Sequence, residues 1–256
     1  MQRDVEALSA VLSGAGFVAA DEEARELLAC AGADAELLDA LLARRLTGEP
    51  LAWIVRVCGV EVRIDPGVYV PRWHSEPLAR RAGERLPAGG IAIDLCTGSG
   101  AIAKVLAVNR PGARVVASDI DERAVACAIA NGVEAYHGDL LAPLPRALAG
   151  CVDVVVGVVP YVPTPALPLL QRDIFTFESP LHYDGGRDGT DILRRVLAES
   201  PRFLRRGGAV LLELGGDQAD GLAGDLSRIG YVGVSVLADE EGDVRGLEAT
   251  LPRSAP

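Results

Sequence analysis

An α/β fold on a doubly wound, mostly parallel sheet is what this sequence predicts, with a small helical domain before it and an antiparallel hairpin at its end. Three observations predict it. From residue 91 onward, short apolar runs alternate with helix-forming stretches and short connections, the pattern of a parallel sheet covered on both faces. One run, Ile91–Leu95, ends in an acid and passes through Cys96-Thr97-Gly98-Ser99-Gly100 straight into the small-residue stretch Ala101–Ala107. That reads as strand, tight turn and helix, the opening unit of a nucleotide-binding sheet. Finally, 256 residues suffice for a full α/β core and a smaller appended domain.

Residues 1–47 carry apolar residues at helical spacing: Val5, Leu8, Val11 and Leu12, then Leu27 and Leu28, then Leu37, Leu38, Leu41, Leu42 and Leu46. Asp21 and Asp34 are expected to cap helices, and Gly14, Gly16 and Gly32 to stop them, giving three short helices in a unit too small to stand well alone. Residues 48–72 change to a β pattern, with runs at 52–57 and 60–64 before the Asp65-Pro66-Gly67 turn, and read as a connecting hairpin.

The main domain spans 73–256. Ser75 as N-cap and Pro77 at the first position start a helix running to about Arg85. After the 91–107 unit come a strand over 113–119, a helix capped by Asp121 to about Ala130, a strand over 133–137 and a continuously apolar, hence central, strand over 151–159. A helix over 191–205, a strand over 208–214, a helix over 217–229 and a hairpin of 232–236 with 244–251 complete the chain.

The Gly98 and Gly100 backbone allows close approach of a ligand, and the start of the next helix offers unpaired N–H groups. Gly98-Ser-Gly-Ala-Ile-Ala103 with Asp119 about 20 residues on also fits a dinucleotide site. Asp94 separates the two readings. A carboxylate at the strand end repels a pyrophosphate and attracts the ammonium of a ligand with an amino-acid moiety, which favours S-adenosylmethionine over NAD. Asp94, Asp119 and Asp139 end three successive strands and face the crevice where open α/β sheets bind ligands. Asp119 is expected to accept from both ribose hydroxyls, with Ile120 beside it, and Leu140 to pack the adenine.

Hydrophobic residues make up 49% and charged ones 24%, the profile of a globular chain. A net charge of −11 argues against a nucleic-acid partner, since phosphate-backbone binding draws on lysine and arginine, and the four Arg-Arg pairs are dispersed. No apolar run reaches the ~18–20 residues that span a bilayer, and no signal-peptide profile opens the chain, so a cytoplasmic protein without membrane contact is expected. Five scattered cysteines without a C-x-x-C pair, and three distant histidines, support neither disulfides nor a metal.

Beyond the cofactor turn, the segments Thr47–Trp53, Pro66–Arg72, Ser179–Gly186, Asp188-Gly189 and Leu204–Gly208 resemble the HemK/PrmC methyltransferases, from about residue 34 to 216 and in consistent order. The resemblance implies a class I (Rossmann-like) S-adenosylmethionine-dependent fold, methyl transfer to a glutamine side-chain amide in release factors, and an N-terminal helical domain that helps to hold the protein substrate. It further implies that Asp94, Cys96, Thr97, Gly98, Ser99, Gly100, Asp119, Ile120, Asp139 and Leu140 bind cofactor, that Arg72, Glu76, Val159 and Tyr183 bind substrate, and that Val158, Pro160 and Tyr161 stand at the catalytic signature.

Three departures qualify it. The family's first turn glycine is Cys96, its P-R-P-E-T-E segment reads Pro71-Arg72-Trp73-His74-Ser75-Glu76, and its N-P-P-Y signature reads Val158-Val159-Pro160-Tyr161. In the family pattern the Asn side chain and a neighbouring carbonyl accept hydrogen bonds from the target NH₂, and Val158 has no acceptor. The expectation is therefore a methyltransferase related to this family with altered acceptor chemistry, the alternatives being a methyltransferase acting on a biosynthetic small molecule and a non-catalytic cofactor-binding protein acting through a partner. The methyl acceptor is expected to be a protein or a small molecule. The long segment between Tyr161 and Asp188, with Phe175, Phe177 and Tyr183, is expected to cover the substrate.

Overall fold

Alternation along the central strands sets the architecture. The computed structural model describes residues 4–17, 19–49, 57–65, 67–170, 178–239 and 242–253. In β1 (Ile91–Leu95), Ile93 and Leu95 enter one core layer and Ala92 the other. In β4 (Val152–Gly157), Val155 joins the first layer, Val154 and Val156 the second, and in β5 (Leu204–Glu213), Val210 and Leu212 oppose Ala209 and Leu211. Side chains of a strand alternate between faces, so strands apolar at every position need a covering layer on each side. Helices α4 (Glu76–Arg85) and α5 (Ala101–Asn109) supply one layer through Leu78, Ala82, Val105 and Leu106. Helices α7 (Asp191–Glu199) and α8 (Gln218–Ile229) supply the other through Leu193, Val196, Leu222 and Leu226.

With β2 (Arg114–Asp119), β3 (Glu134–His137), β6 (Val232–Ala238) and β7 (Val244–Thr250), the sheet has seven strands in the order β3-β2-β1-β4-β5-β7-β6. The first five are parallel, β7 runs antiparallel to β5, and the β6–β7 hairpin closes the edge as expected. Strand order reverses between β1 and β4, and the crevice at that switch point is where open α/β sheets take their ligands. Helix α6 (Glu122–Ala130) begins at Asp121, whose side chain accepts from the Arg123 N–H.

The N-terminal helices α1 (Val5–Gly14), α2 (Ala20–Ala31) and α3 (Ala35–Leu46) bury their stripes against one another. Leu8, Leu12, Leu27, Leu38, Leu41 and Leu42 form a core cluster of their own. Arg45 closes its base in a buried ion pair with Glu23, 2.8 Å. Asp34 caps α3 through the Glu36 and Leu37 N–H groups, but Asp21 does not cap α2. That helix starts one residue earlier, leaving Asp21 to accept from Ser9 Oγ of α1.

Several boundaries differ from the expectation for identifiable reasons. Most of the first arm of the 48–72 hairpin, with Trp53, lies outside the described residues. Among the described residues the hairpin shows one antiparallel bridge, Val57 to Val60, and residues 61–65 after it are not a strand. The Asn131 side chain takes the place of a neighbouring strand there, accepting from Arg63 N (2.9 Å) and donating to Arg63 O (2.7 Å). Helix α4 begins at Glu76, so Pro77 stands second, and Ser75 Oγ is buried without capping. Helix α7 stops at Glu199 rather than 205, because Pro201 brings no N–H to continue it. Strand β5 then starts at Leu204 and bulges before Ala209, where Gly207 takes φ +78° and Arg205 pairs with Asp153 at 2.5 Å.

The helices bury a core cluster separate from those of the sheet. A chain beginning at Gly48 is expected to keep a cooperative thermal transition and native S-adenosylhomocysteine affinity within about threefold, by scanning and titration calorimetry. Loss of the transition would show that the sheet domain depends on the helices.

Candidate functional site

The turn after β1 is shaped by its own backbone. Cys96, Gly98 and Gly100 all have positive φ, +53°, +56° and +79°. Cys96 therefore adopts the conformation in which glycine is at home, at a cost of about 1–2 kcal/mol for a side-chain-bearing residue. At Gly100 a Cβ would lie 3.0 Å from Ala128 Cβ and from Val133 Cγ2, so this glycine lets α5 start against α6 and β3. Over Gly98 stands Tyr69, 3.5 Å from where a Cβ would be.

Two carboxylates fix the turn. Asp94, 2% exposed, accepts at one oxygen from Thr97 Oγ1 (2.6 Å) and Ala103 N (3.1 Å). Burial pushes its pKa up to about 7, the two hydrogen bonds work the other way, and the charge of Asp119 adds to the rise. Asp119, at the end of β2, accepts from Gly98 N (2.9 Å) and Asp121 N (3.0 Å), and burial raises it too. Burial, then Asp119 and Asp94, raise the Cys96 thiol well above its ordinary range, so it stays neutral. Beside Asp119 the Ile120 side chain is 62% exposed, an uncovered apolar surface at the rim.

The third acid is engaged differently. Asp139 Oδ2 accepts from the Arg195 guanidinium of α7, 2.7 Å, at a solvent-exposed pair. Leu140, also at positive φ (+46°), sends its side chain into the core with Leu141 and Leu144, while its carbonyl accepts from Ser118 Oγ at 2.7 Å. Ile120 thus offers an open apolar side chain in this crevice, whereas the Leu140 side chain is buried.

At the end of β4, Val158 packs with the α4–α5 layer and Val159 with the opposite one. The chain then runs beside the returning half of the long loop: Val162 bridges Asp184 in parallel, Val162 N donates to Tyr183 O (2.9 Å) and Gly185 N to Val162 O (2.9 Å). A Cβ at Gly185 would lie 2.7 Å from Tyr161 Cα and 2.8 Å from Pro160 O, so this glycine permits the contact. Tyr161 donates its hydroxyl to Glu213 Oε1, 2.9 Å, and its carbonyl accepts from Gln218 Nε2, 2.7 Å.

Arg72 and Tyr183 do meet, but as a clamp. The Arg72 guanidinium donates to Glu178 Oε1 (2.6 Å) and to the Tyr183 hydroxyl (2.9 Å), and Tyr183 also bonds Glu178. Burial is the largest influence and works against the Arg72 charge, yet Glu178, Tyr183 and Tyr69 together outweigh it and hold the pKa above the usual range. Glu76 stands apart from this clamp, accepting from Cys58 N at 2.8 Å and from Arg80. Phe175 and Phe177 lie outside the described residues. Sequence reasoning missed Tyr69, Glu178, His182, Glu213 and Gln218. Tyr69 and His182 lie inside the resembling segments Pro66–Arg72 and Ser179–Gly186, whereas Glu178, Glu213 and Gln218 stand in none of them.

Comparison with models of known protein families gives no match. Among curated proteins, the chain is 34% identical over 226 residues to the release factor glutamine methyltransferase of Geobacter sulfurreducens, covering 85% of this chain and 76% of that one. It is 38% identical over 214 residues to that of Moorella thermoacetica, covering 78% and 74%. The chain belongs to the release factor glutamine methyltransferase family. Its fold also matches a solved methyltransferase from Pyrococcus furiosus, with a TM-score of 0.56 over 82% of this chain and 97% of that one, at 20% identity. The protein is thus an S-adenosylmethionine-dependent methyltransferase with a class I fold.

The residues present suit that cofactor. The turn leaves its backbone bare at two glycines, two carboxylates flank it, and an apolar side chain lies open beside Asp119. Ser99 Oγ in the turn and Nδ1 of His182 are buried without hydrogen-bond partners among the described residues. His182 reaches over from the loop, its ring centroid 6.1 Å from that of Tyr69 and its Nε2 4.0 Å from Asp121 Oδ2.

A pKa near 7 on Asp94 gives a directional test. An ammonium group draws on the ionised carboxylate, so S-adenosylhomocysteine affinity is expected to rise roughly tenfold from pH 6 to pH 8 in titration calorimetry. Asp94→Asn, which keeps the acceptor but not the titration, is expected to flatten that rise. An unchanged slope in the variant would assign the titration to another group.

Proposed function

We propose that the chain methylates the side-chain amide of a glutamine in a protein, in an acceptor pocket altered from that of its relatives at Val158 and Val159. The observation carrying this reading is the place of Val158–Tyr161 at the C-terminal end of β4, the strand beside the β1 turn, with Tyr161 fixed by Glu213 and Gln218. Kinship at 34–38% identity supports a protein glutamine as acceptor.

Bound S-adenosylmethionine supplies a methyl group made electrophilic by its sulfonium. In this reading Asp119 receives the ribose hydroxyls, Ile120 covers the adenine and Asp94 holds the amino-acid end, with Thr97, Gly98, Ser99 and Gly100 lining the turn. Pro160 and Tyr161 shape the acceptor pocket, and the Arg72–Glu178–Tyr183 clamp keeps the loop over it. Positioning of the nucleophile then supplies most of the rate. The Val158-Val159 wall replaces an amide acceptor with apolar surface, so the amide is held differently and the protein context of the favoured glutamine differs from a release factor's.

The test is to incubate the enzyme and labelled cofactor with the proteins and the small molecules of a bacterial lysate, kept in separate fractions, and with a purified release factor. Label on a glutamine of a protein, located by mass spectrometry, is expected. The release factor is expected to be methylated more slowly than by Val158→Asn with Val159→Pro. Label confined to small molecules, or to another residue type, would overturn the reading.

A further inference from the structure

Parallel register decides which side chains meet at the top of the sheet. Gly157 of β4 is level with Leu212 of β5, so the next residue of each, Val158 and Glu213, comes level on the same face. Val158 packs with the layer of Val154, Val156, Ala209 and Leu211, as that alternation requires. Glu213 is 1% exposed. Its Oε1 accepts from Tyr161, with His74 Nε2 3.5 Å away, whereas its Oε2 is buried with no hydrogen-bond partner among the described residues. An unpaired buried acceptor is costly, and a carboxylate oxygen more so than a neutral one. Nothing in the fold requires it: the Tyr161 bond needs only one of the two oxygens.

The family's Asn acceptor is missing at Val158, and an acceptor without a donor lies one strand away at the same level. We propose that Glu213 Oε2 receives the NH₂ of the substrate amide, taking the part that the Asn side chain plays in the family pattern. This rests on the glutamine-amide reading above. In the transfer the amide nitrogen bonds to the methyl carbon, the carbon–sulfur bond breaks with its electron pair on sulfur, and one N–H proton passes from nitrogen to Oε2. A neutral N-methyl amide, a neutral thioether and a protonated carboxyl result, from a neutral amide, a sulfonium and a carboxylate. A carboxylate is a stronger acceptor than an amide oxygen and suits a nucleophile whose lone pair is delocalised.

Glu213→Gln is the sharp variant, since its oxygen can keep the Tyr161 bond while its NH₂ faces the NH₂ of the substrate. Methylation of a purified release factor would be compared for the native enzyme, Glu213→Gln, Val158→Asn and the double variant. Glu213→Gln is expected to lower kcat about 10²-fold with less than about threefold change in KM. By calorimetry, it is expected to bind S-adenosylhomocysteine within about twofold of native and to unfold at or above the native temperature. Adding Val158→Asn, which restores an acceptor, is expected to recover at least about tenfold of the lost rate. A native kcat in Glu213→Gln, or a loss that Val158→Asn does not relieve, would overturn the inference. No glutamine methylation by either the native enzyme or Val158→Asn, on the release factor or on the protein fraction of a bacterial lysate, would overturn the glutamine-amide reading, and this inference with it.

Discussion

Asp94 and Asp119, at the C-terminal ends of β1 and β2, grip the intervening turn from both sides, one through Thr97 and Ala103 and the other through Gly98. Three of the five turn residues hold left-handed backbone, native to Gly98 and Gly100 and strained at Cys96, and these carboxylate bonds help to hold it. The same grip aims the start of α5 at the switch point between β1 and β4. Charge-assisted bonds of this kind contribute roughly 1.5–3 kcal/mol each, enough to offset the strain at Cys96. In the proposed cofactor placement, ligand recognition and turn stability draw on the same two side chains, so a substitution at either is expected to disturb both.

Around that turn the fold brings in pieces from distant parts of the chain. Tyr69 comes from the connecting segment, His182 from the loop after β4, and Glu213 from the end of β5. The Arg72–Glu178–Tyr183 clamp ties the first two together across more than a hundred residues of sequence. Losing one partner of such a buried pair costs about 3–5 kcal/mol, because the other charge is left uncompensated. That clamp explains why Arg72 and Tyr183 come together while Glu76, four residues from Arg72, turns to Arg80 and Cys58 instead.

Much of this was legible in the sequence, for a physical reason. Strands buried on both faces leave an unbroken apolar run, as at β4, and a turn requiring positive φ leaves glycines, so β1, its turn, Asp94 and Asp119 could be placed from residues alone. Cys96 hid one such position behind a side chain, and only the resemblance exposed it. The failures share a cause as well. Asn131 standing in for a strand beside Arg63 and Ser75 left uncapped are outcomes of tertiary packing that no local pattern encodes. Glu213 was invisible because an acid ending a strand looks like any other until its neighbours and its empty oxygen are known.

The most direct measurement of the account is a crystal structure of the chain with S-adenosylhomocysteine bound. The account predicts both ribose hydroxyls on the Asp119 carboxylate, the adenine against Ile120, the amino group toward Asp94 and the thioether facing Val158 and Glu213. A ligand seated away from the Cys96–Gly100 turn, or one whose ribose makes no contact with Asp119, would contradict it.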